Sequence, residues 1–213
     1  MGGIRPLPLD NQPTGIFKRE VLMPAWLGRE GLAGDAQAGR RAYGGPDKAL
    51  HQYPVTHYQR LAVSFPDAGE LLIPGSIGEN LSVPGWDETN VCTGDLFQLG
   101  DAVIQVCQPR NSCWKIDHRY GVVGMARLIA DEGITGWHFF RVVEEGSVEP
   151  GCPFDLIERK LPEATLSQFL SQWFVHRPAP SALIALAATP GLAFPWVSKL
   201  HDRASRPKDL LDE

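Results

Sequence analysis

The residues best placed to do chemistry sit around one cysteine. In residues 108–116, QPRNSCWKI, Arg110 precedes Cys113 by three positions and Lys115 follows by two, and Arg119 lies just beyond. Positive charge beside a thiol favours the thiolate, which is both the nucleophile and the soft-metal ligand. Cys92, Cys107 and Cys152 have no such company. On residue types alone, Cys113 is a reactive thiol, a metal ligand, or a small buried side chain near surface charge. His118 follows closely enough to allow a thiol–base pair. All six histidines are otherwise expected at the surface.

Two further stretches offer polar contacts. Gly44-Gly45-Pro46 forces a tight turn, and Lys48 follows at once. Backbone N–H groups in such a turn, with Lys48, Arg40 and Arg41 nearby, would form an anion cradle. The plainer reading is a glycine-rich hairpin with solvated charges. In GSIGENLSV, the Gly78-Glu79-Asn80 corner would present the Asn80 amide and backbone donors to a polar ligand, or Asn80 would cap its own loop.

The elements that must hold these residues read as mostly strands and turns. The chain has 213 residues, is 43% hydrophobic and 21% charged, and carries 22 glycines and 18 prolines, which favours short elements over long helices. TGIFKREVLM, ELLIPGSIGENLSV, DLFQLGDAVIQVCQP and GWHFFRVVEEGSV read as strands, with Gly100-Asp101 turning a hairpin and Cys113 near a strand end. Strand spacing and turn density predict a closed or nearly closed barrel. Helices are expected in PVTHYQRLAVSF, with Val55, Tyr58, Leu61 and Ala62 on one face, and in GVVGMARLIADEG. After ERKLPEA the character changes: Leu166, Phe169, Leu170 and Trp173 recur at helical spacing behind a Thr165 cap, and two further helical segments follow. The fold class is therefore mainly β, a barrel over residues 1–162 with flanking helices, then a small three-helix segment over 163–213.

Charge and cysteine usage narrow the function. A net charge of −5 argues against a general nucleic-acid binder. The opening residues lack a secretory signal's apolar core. The apolar run ALIALAATPGLAFPWV is broken by Pro190, Gly191 and Pro195, so buried short helices fit it better than a membrane span. Four cysteines without paired spacing suggest reduced thiols and a cytoplasmic location. No CxxC or HxxxH occurs, so a structural zinc site is not expected.

Taken in order, LAGDAQA, YGGPDKALHQYP, GENLS, TGDLFQLGDAVIQVCQPRNSCWKI and the trailing helical segment resemble the MOSC domain family, in its YiiM-type branch. The family takes its name from the carboxy-terminal domain of molybdenum cofactor sulfurases. The resemblance implies a β-barrel that binds molybdenum cofactor, a pterin-based dithiolene with a phosphate. Cys113 matches the family's metal-binding cysteine, and thiolate is the soft donor such a metal prefers. Arg110 and Lys115 would then bind cofactor anions or set the thiolate, with Lys48, the Gly44-Gly45 turn and Asn80 as further cofactor contacts. The implied activity is reduction of N-hydroxylated compounds (hydroxylaminopurine-type bases, hydroxamates), with electrons from a flavin-containing NAD(P)H-dependent reductase, in a protein that could be a homodimer. Two residues depart from the pattern: Tyr43 stands where many relatives have histidine, and Ser112 where the cysteine often follows proline. A carrier of cofactor or sulfur without reductase activity is the second reading, and a metal-free redox-sensing thiol the third.

Overall fold

The computed structural model describes residues 1–39 and 44–206. Arg40 and Arg41, expected in the anion cradle, and Tyr43 lie outside the described residues. In chain order the elements are β1 (Arg5–Pro6), β2 (Pro13–Thr14), β3 (Ala25–Gly28), β4 (Gly31–Leu32), β5 (Leu50–Gln52), α1 (Val55–Ser64), β6 (Leu96–Leu99), β7 (Ala102–Val106), α2 (Lys115–Tyr120), α3 (Met125–Asp131), β8 (Trp137–Glu144), β9 (Gly146–Val148), β10 (Phe154–Glu158), α4 (Leu166–Trp173), α5 (Pro180–Ala187) and α6 (Phe194–Ala204). Short 3₁₀ turns occupy Pro46–Lys48 and Pro66–Leu71.

Alternation along β6 and β7 builds the sheet. Phe97 and Leu99 are buried between less buried neighbours, and the β6–β7 hairpin pairs Leu99 with Ala102 across the expected Gly100-Asp101 turn. The main sheet is antiparallel, in the order β10-β6-β7-β8-β5, and a smaller one runs β4-β3-β9. Together they curl into a half-barrel. The five-strand ladder ends at β10 and β5 and does not close on itself, so the barrel is more open than strand spacing suggests. Its core holds Leu27, Phe97, Ile104, Trp137 and Phe140, and Phe97 stacks on Phe154 at 4.5 Å between ring centroids.

Three helices flank the sheet before the carboxy-terminal three. Tyr58 and Leu61 of α1, Ile116 and Tyr120 of α2, and Met125 and Ile129 of α3 bury into a second core with Ile77. α4 carries the expected Thr165 cap as a full capping box with Gln168. Phe169, Leu183, Trp196 and Leu200 form a third apolar cluster among α4, α5 and α6. Among the described residues no helix is long and apolar enough to cross a membrane.

Three local expectations change. Of TGIFKREVLM only Thr14 joins a ladder, at the end of β2; residues 15–23 form none, and β3 begins beyond them. ELLIPGSIGENLSV is a 3₁₀ turn followed by a loop, because Pro74 and the positive-φ glycines Gly75 and Gly78 interrupt any strand. β7 ends at Val106, so Cys113 belongs to the loop before α2, a helix too short to show apolar periodicity.

Candidate functional site

The site is built by the loop that leaves β7. Pro109 bridges Trp137 in β8, and the Arg110 N–H donates to the Gly136 carbonyl at 3.3 Å, so the loop starts anchored to the sheet. The Cys113 carbonyl accepts from the Ile116 N–H at 2.9 Å as α2 begins, and burial of Ile116 and Tyr120 fixes that helix. Cys113 is left half-buried in the wall of an open pocket shared with Arg110, Lys115, Asn80, His51 and Lys18. The enclosed part is about 100 Å³, room for the reacting end of a ligand more than for a whole nucleotide-sized molecule.

Arg110 dominates the electrostatics. Its residue exposure is 8%, and Nη2 donates to the Ile77 carbonyl at 3.3 Å. Nη1 is buried without a hydrogen-bond partner among the described residues. Burial pushes the guanidinium's pKa down, while Tyr53, Glu79 and the Cys113 sulfur pull it up. A buried cation whose Nη1 has no partner among the described residues, beside a thiol, has the chemistry to take an anion.

Glu79 and Asn80 hold the part of the wall that contains Ile77 and Gly78. The buried Glu79 carboxylate accepts from the Gly75 N–H at 2.6 Å, the Ile77 N–H and the Ser82 hydroxyl at 3.2 Å, and also from the Tyr58 hydroxyl. It thereby ties the loop that presents Ile77 to Arg110. The Asn80 carbonyl oxygen accepts from the His51 N–H at 3.1 Å, and its amide donates to Asp35 at 2.9 Å. Asn80 lines the pocket with both ends of its amide already holding the wall together.

The other expected residues fall in two places. Lys115 lines the pocket, with its ammonium donating to the Pro13 carbonyl at 2.8 Å and 5.8 Å from the centre of the Trp114 ring. Lys48, Gly44 and Gly45 are outside the pocket wall; Lys48 is reached through Gln37, a wall residue whose amide donates to the Lys48 carbonyl at 3.3 Å. Burial and the nearby Lys199 of α6 lower the Lys48 pKa. His118 lies 3.6 Å from the Asp10 carboxylate and edge-on to Trp114.

Two wall residues escaped sequence reasoning. Lys18, in a segment whose sequence reads as a strand, makes a buried ion pair with Asp35 at 2.5 Å. His51 is buried rather than exposed, and burial, then the Arg110 charge, pushes its pKa well below the usual histidine range. His57 is partly buried, 2.7 Å from Glu88. Nothing local in sequence marks Lys18 or His51, because only the fold brings them to Cys113.

Comparison with known proteins gives the family and the fold. The MOSC domain model matches residues 39–155. The Escherichia coli protein YiiM is 39% identical over 74% of this chain and 70% of its own length, and the uncharacterized Bacillus subtilis protein YflK 44% identical over 68% and 64%. A Gibberella moniliformis protein named "Reductase" is 32% identical over 70% of this chain, a match that spans only 27% of that protein. The crystal structure of E. coli YiiM superposes with a TM-score of 0.80 at 33% identity, covering 90% of this chain and 89% of that one. YiiM from Geobacillus stearothermophilus gives 0.80 at 28% identity, covering 96% and 95%. With the family model spanning more than half its length and Cys113 set in the pocket wall of a matching fold, this chain belongs to the MOSC domain family.

Proposed function

We propose that the chain binds molybdenum cofactor through Cys113 and reduces N-hydroxylated compounds, such as hydroxylaminopurine bases and hydroxamates, to amines or amides. The observation that carries this reading is the pairing of Cys113 with Arg110, a buried guanidinium whose Nη1 has no hydrogen-bond partner among the described residues. MOSC domains are associated with molybdenum cofactor, and one relative is named a reductase. Among the described residues no cluster of three or more His, Cys, Asp or Glu could hold a metal ion. A metal held by one protein thiolate must therefore bring its other donors with it, as a dithiolene does.

Bound there, the cofactor supplies a two-electron redox centre, and the balance is R–NH–OH plus two electrons and two protons giving R–NH₂ and water. The protein's share is placement and charge. Cys113 gives the sulfur ligand. Arg110 and Lys115 offset the anionic groups, and Arg110 keeps its protons throughout. Lys18 and Asn80, both bonded to Asp35, hold their part of the wall in place. A flavin-containing NAD(P)H-dependent reductase is the electron donor in this proposal.

The test is turnover of 6-hydroxylaminopurine by cofactor-loaded protein with a reduced viologen dye, with molybdenum per chain measured in parallel. Turnover in wild type that disappears in Cys113→Ser, along with bound molybdenum, is the expected result. Full molybdenum loading without turnover sinks the reductase reading for this substrate and favours the cofactor or sulfur carrier.

A further inference from the structure

A groove of about 460 Å³ opens between the end of α4 and the last turns of α6. Trp173, Phe174 and Val175 give its lining apolar surface, and Lys199, Arg203 and Arg206 bring cations to it. Arg203 fixes its shape. The guanidinium donates through Nη1 to the Trp173 carbonyl and through Nη2 to the Val175 carbonyl at 2.6 Å, and lies 4.9 Å from the centre of the Trp173 ring. These bonds satisfy carbonyls that a helix end leaves open, and they fasten the chain leaving α4 to α6. Phe174 and Val175 are nevertheless 51% and 40% exposed, and Lys199 and Arg206 reach water. A built groove with apolar lining and exposed cations has the chemistry to receive an acidic protein surface.

Charge and place say which protein. Histidines aside, the charged side chains from residue 166 to 206 are Arg177, Lys199, Arg203 and Arg206 against Asp202 alone, in a chain of formal net charge −5. An acidic partner is therefore drawn to this segment and repelled by the rest. A nucleic acid asks for a wider basic face than one that mixes cations with Asp202 and an exposed phenylalanine. The groove also lies close to the Cys113 pocket. Gln37, in that pocket's wall, donates to the Lys48 carbonyl, and Lys199 of the groove is near enough to Lys48 for its charge to lower the Lys48 pKa. Only Lys48 and Gln37 thus stand between Lys199 and the space beside Cys113.

We propose that this groove seats an acidic face of the flavin-containing electron donor, a placement that rests on the reductase reading above. Phe174 and Val175 take an apolar side chain of the donor, while Lys199 and Arg206 face its carboxylates. The reduced flavin gives up two electrons and is oxidised. Those electrons, with two protons, break the N–O bond of R–NH–OH to give R–NH₂ and water.

The test compares wild type with Phe174→Ser and Arg206→Glu, using two electron donors. One is a purified flavin-containing NADPH reductase with an acidic face around its flavin; the other is a reduced viologen dye, which needs no docking face. Each variant should raise the reductase's dissociation constant, measured by titration calorimetry on the full chain, about fivefold or more. Wild-type binding should weaken in about 1 M salt. Turnover driven by the reductase should fall in both variants while turnover driven by the dye stays unchanged. Arg206 lies beyond the end of α6, so that variant keeps the test readable if Phe174→Ser lowers the melting point. Binding that is absent, or equal in wild type and both variants, would overturn the docking whatever the dye shows. Tighter binding of a duplex DNA oligonucleotide than of the reductase would overturn it as well. Binding lost in the variants, with no dye turnover by fully loaded wild type, would support the docking face and sink the reductase reading alone.

Discussion

Arg110 and His51 show how burial sets the character of the site. Arg110 offers one arm to the Ile77 carbonyl and keeps Nη1 without a partner among the described residues. A lysine there preserves charge but not the two-armed geometry. Loss of one charge-assisted hydrogen bond of about 1.5–3 kcal/mol predicts at least about tenfold weaker retention of molybdenum cofactor in Arg110→Lys, read as metal per chain after dialysis. His51 bears on stability through pH. Its folded pKa lies well below the usual value because burial and Arg110 disfavour the cation. The unfolded chain therefore binds a proton that the folded chain refuses once pH drops below about 6.5. Stability falls with acidification in that window, by up to about 1.4 kcal/mol per pH unit from this group. Urea unfolding at pH 7 and pH 5.5 should show a smaller acid loss in His51→Gln than in wild type. Cys113 and Arg110 could be singled out from sequence because both belong to one nine-residue stretch. Lys18 and His51 could not, since their role arises only where distant segments converge.

The loop from Gly75 to Ser82 is the element on which the site depends most. Gly78 adopts φ +90°, and a Cβ there would sit 3.0 Å from Ile16 Cγ1 and 3.1 Å from Ile16 Cα. Gly78→Ala therefore strains the backbone by about 1–3 kcal/mol and pushes on the segment that carries Lys18. Chemical denaturation should report that loss, together with reduced metal retention. Thr165→Ala is the contrast: removing the capping box of α4 costs about 1 kcal/mol and should leave metal retention unchanged. The two elements also differ in how they read from sequence. α4 announces itself through a four-residue apolar stripe and a cap. The apolar residues of the 70–83 stretch mimic a strand, yet Ile77 in the loop is buried into the helical core while Leu71 and Ile73, just before it, remain in water. Its order comes from Glu79 accepting four hydrogen bonds, an arrangement with no periodic signature.

At the scale of the molecule, the carboxy-terminal helices are joined to the half-barrel by close backbone contact. The Ala193 N–H donates to the Cys107 carbonyl at 2.8 Å, and the Leu166 N–H to the Val91 carbonyl at 2.9 Å. Between these ties Gly94 meets the turn before α6: a Cβ on Gly94 would lie 2.4 Å from the Pro190 carbonyl oxygen. The same contact from the other side puts a Cβ on Gly191 only 2.7 Å from Gly94 Cα. Two chain segments almost a hundred residues apart thus require glycine at each other's surface, a constraint that only the assembled fold reveals. Gly94 also has φ +91°, so an alanine meets both backbone strain and a carbonyl that cannot swing aside without moving α6. Gly94→Ala is expected to cost about 2 kcal/mol or more, equivalent to a melting-point drop of about 4–8 °C. Because the displaced contact lies at the junction, limited proteolysis should also cut faster near Thr189–Ala193 than in wild type. An unaltered melting point with unaltered cleavage would mean that the helices dock without this contact, and that the apolar packing of Leu166 against the sheet core suffices to hold them.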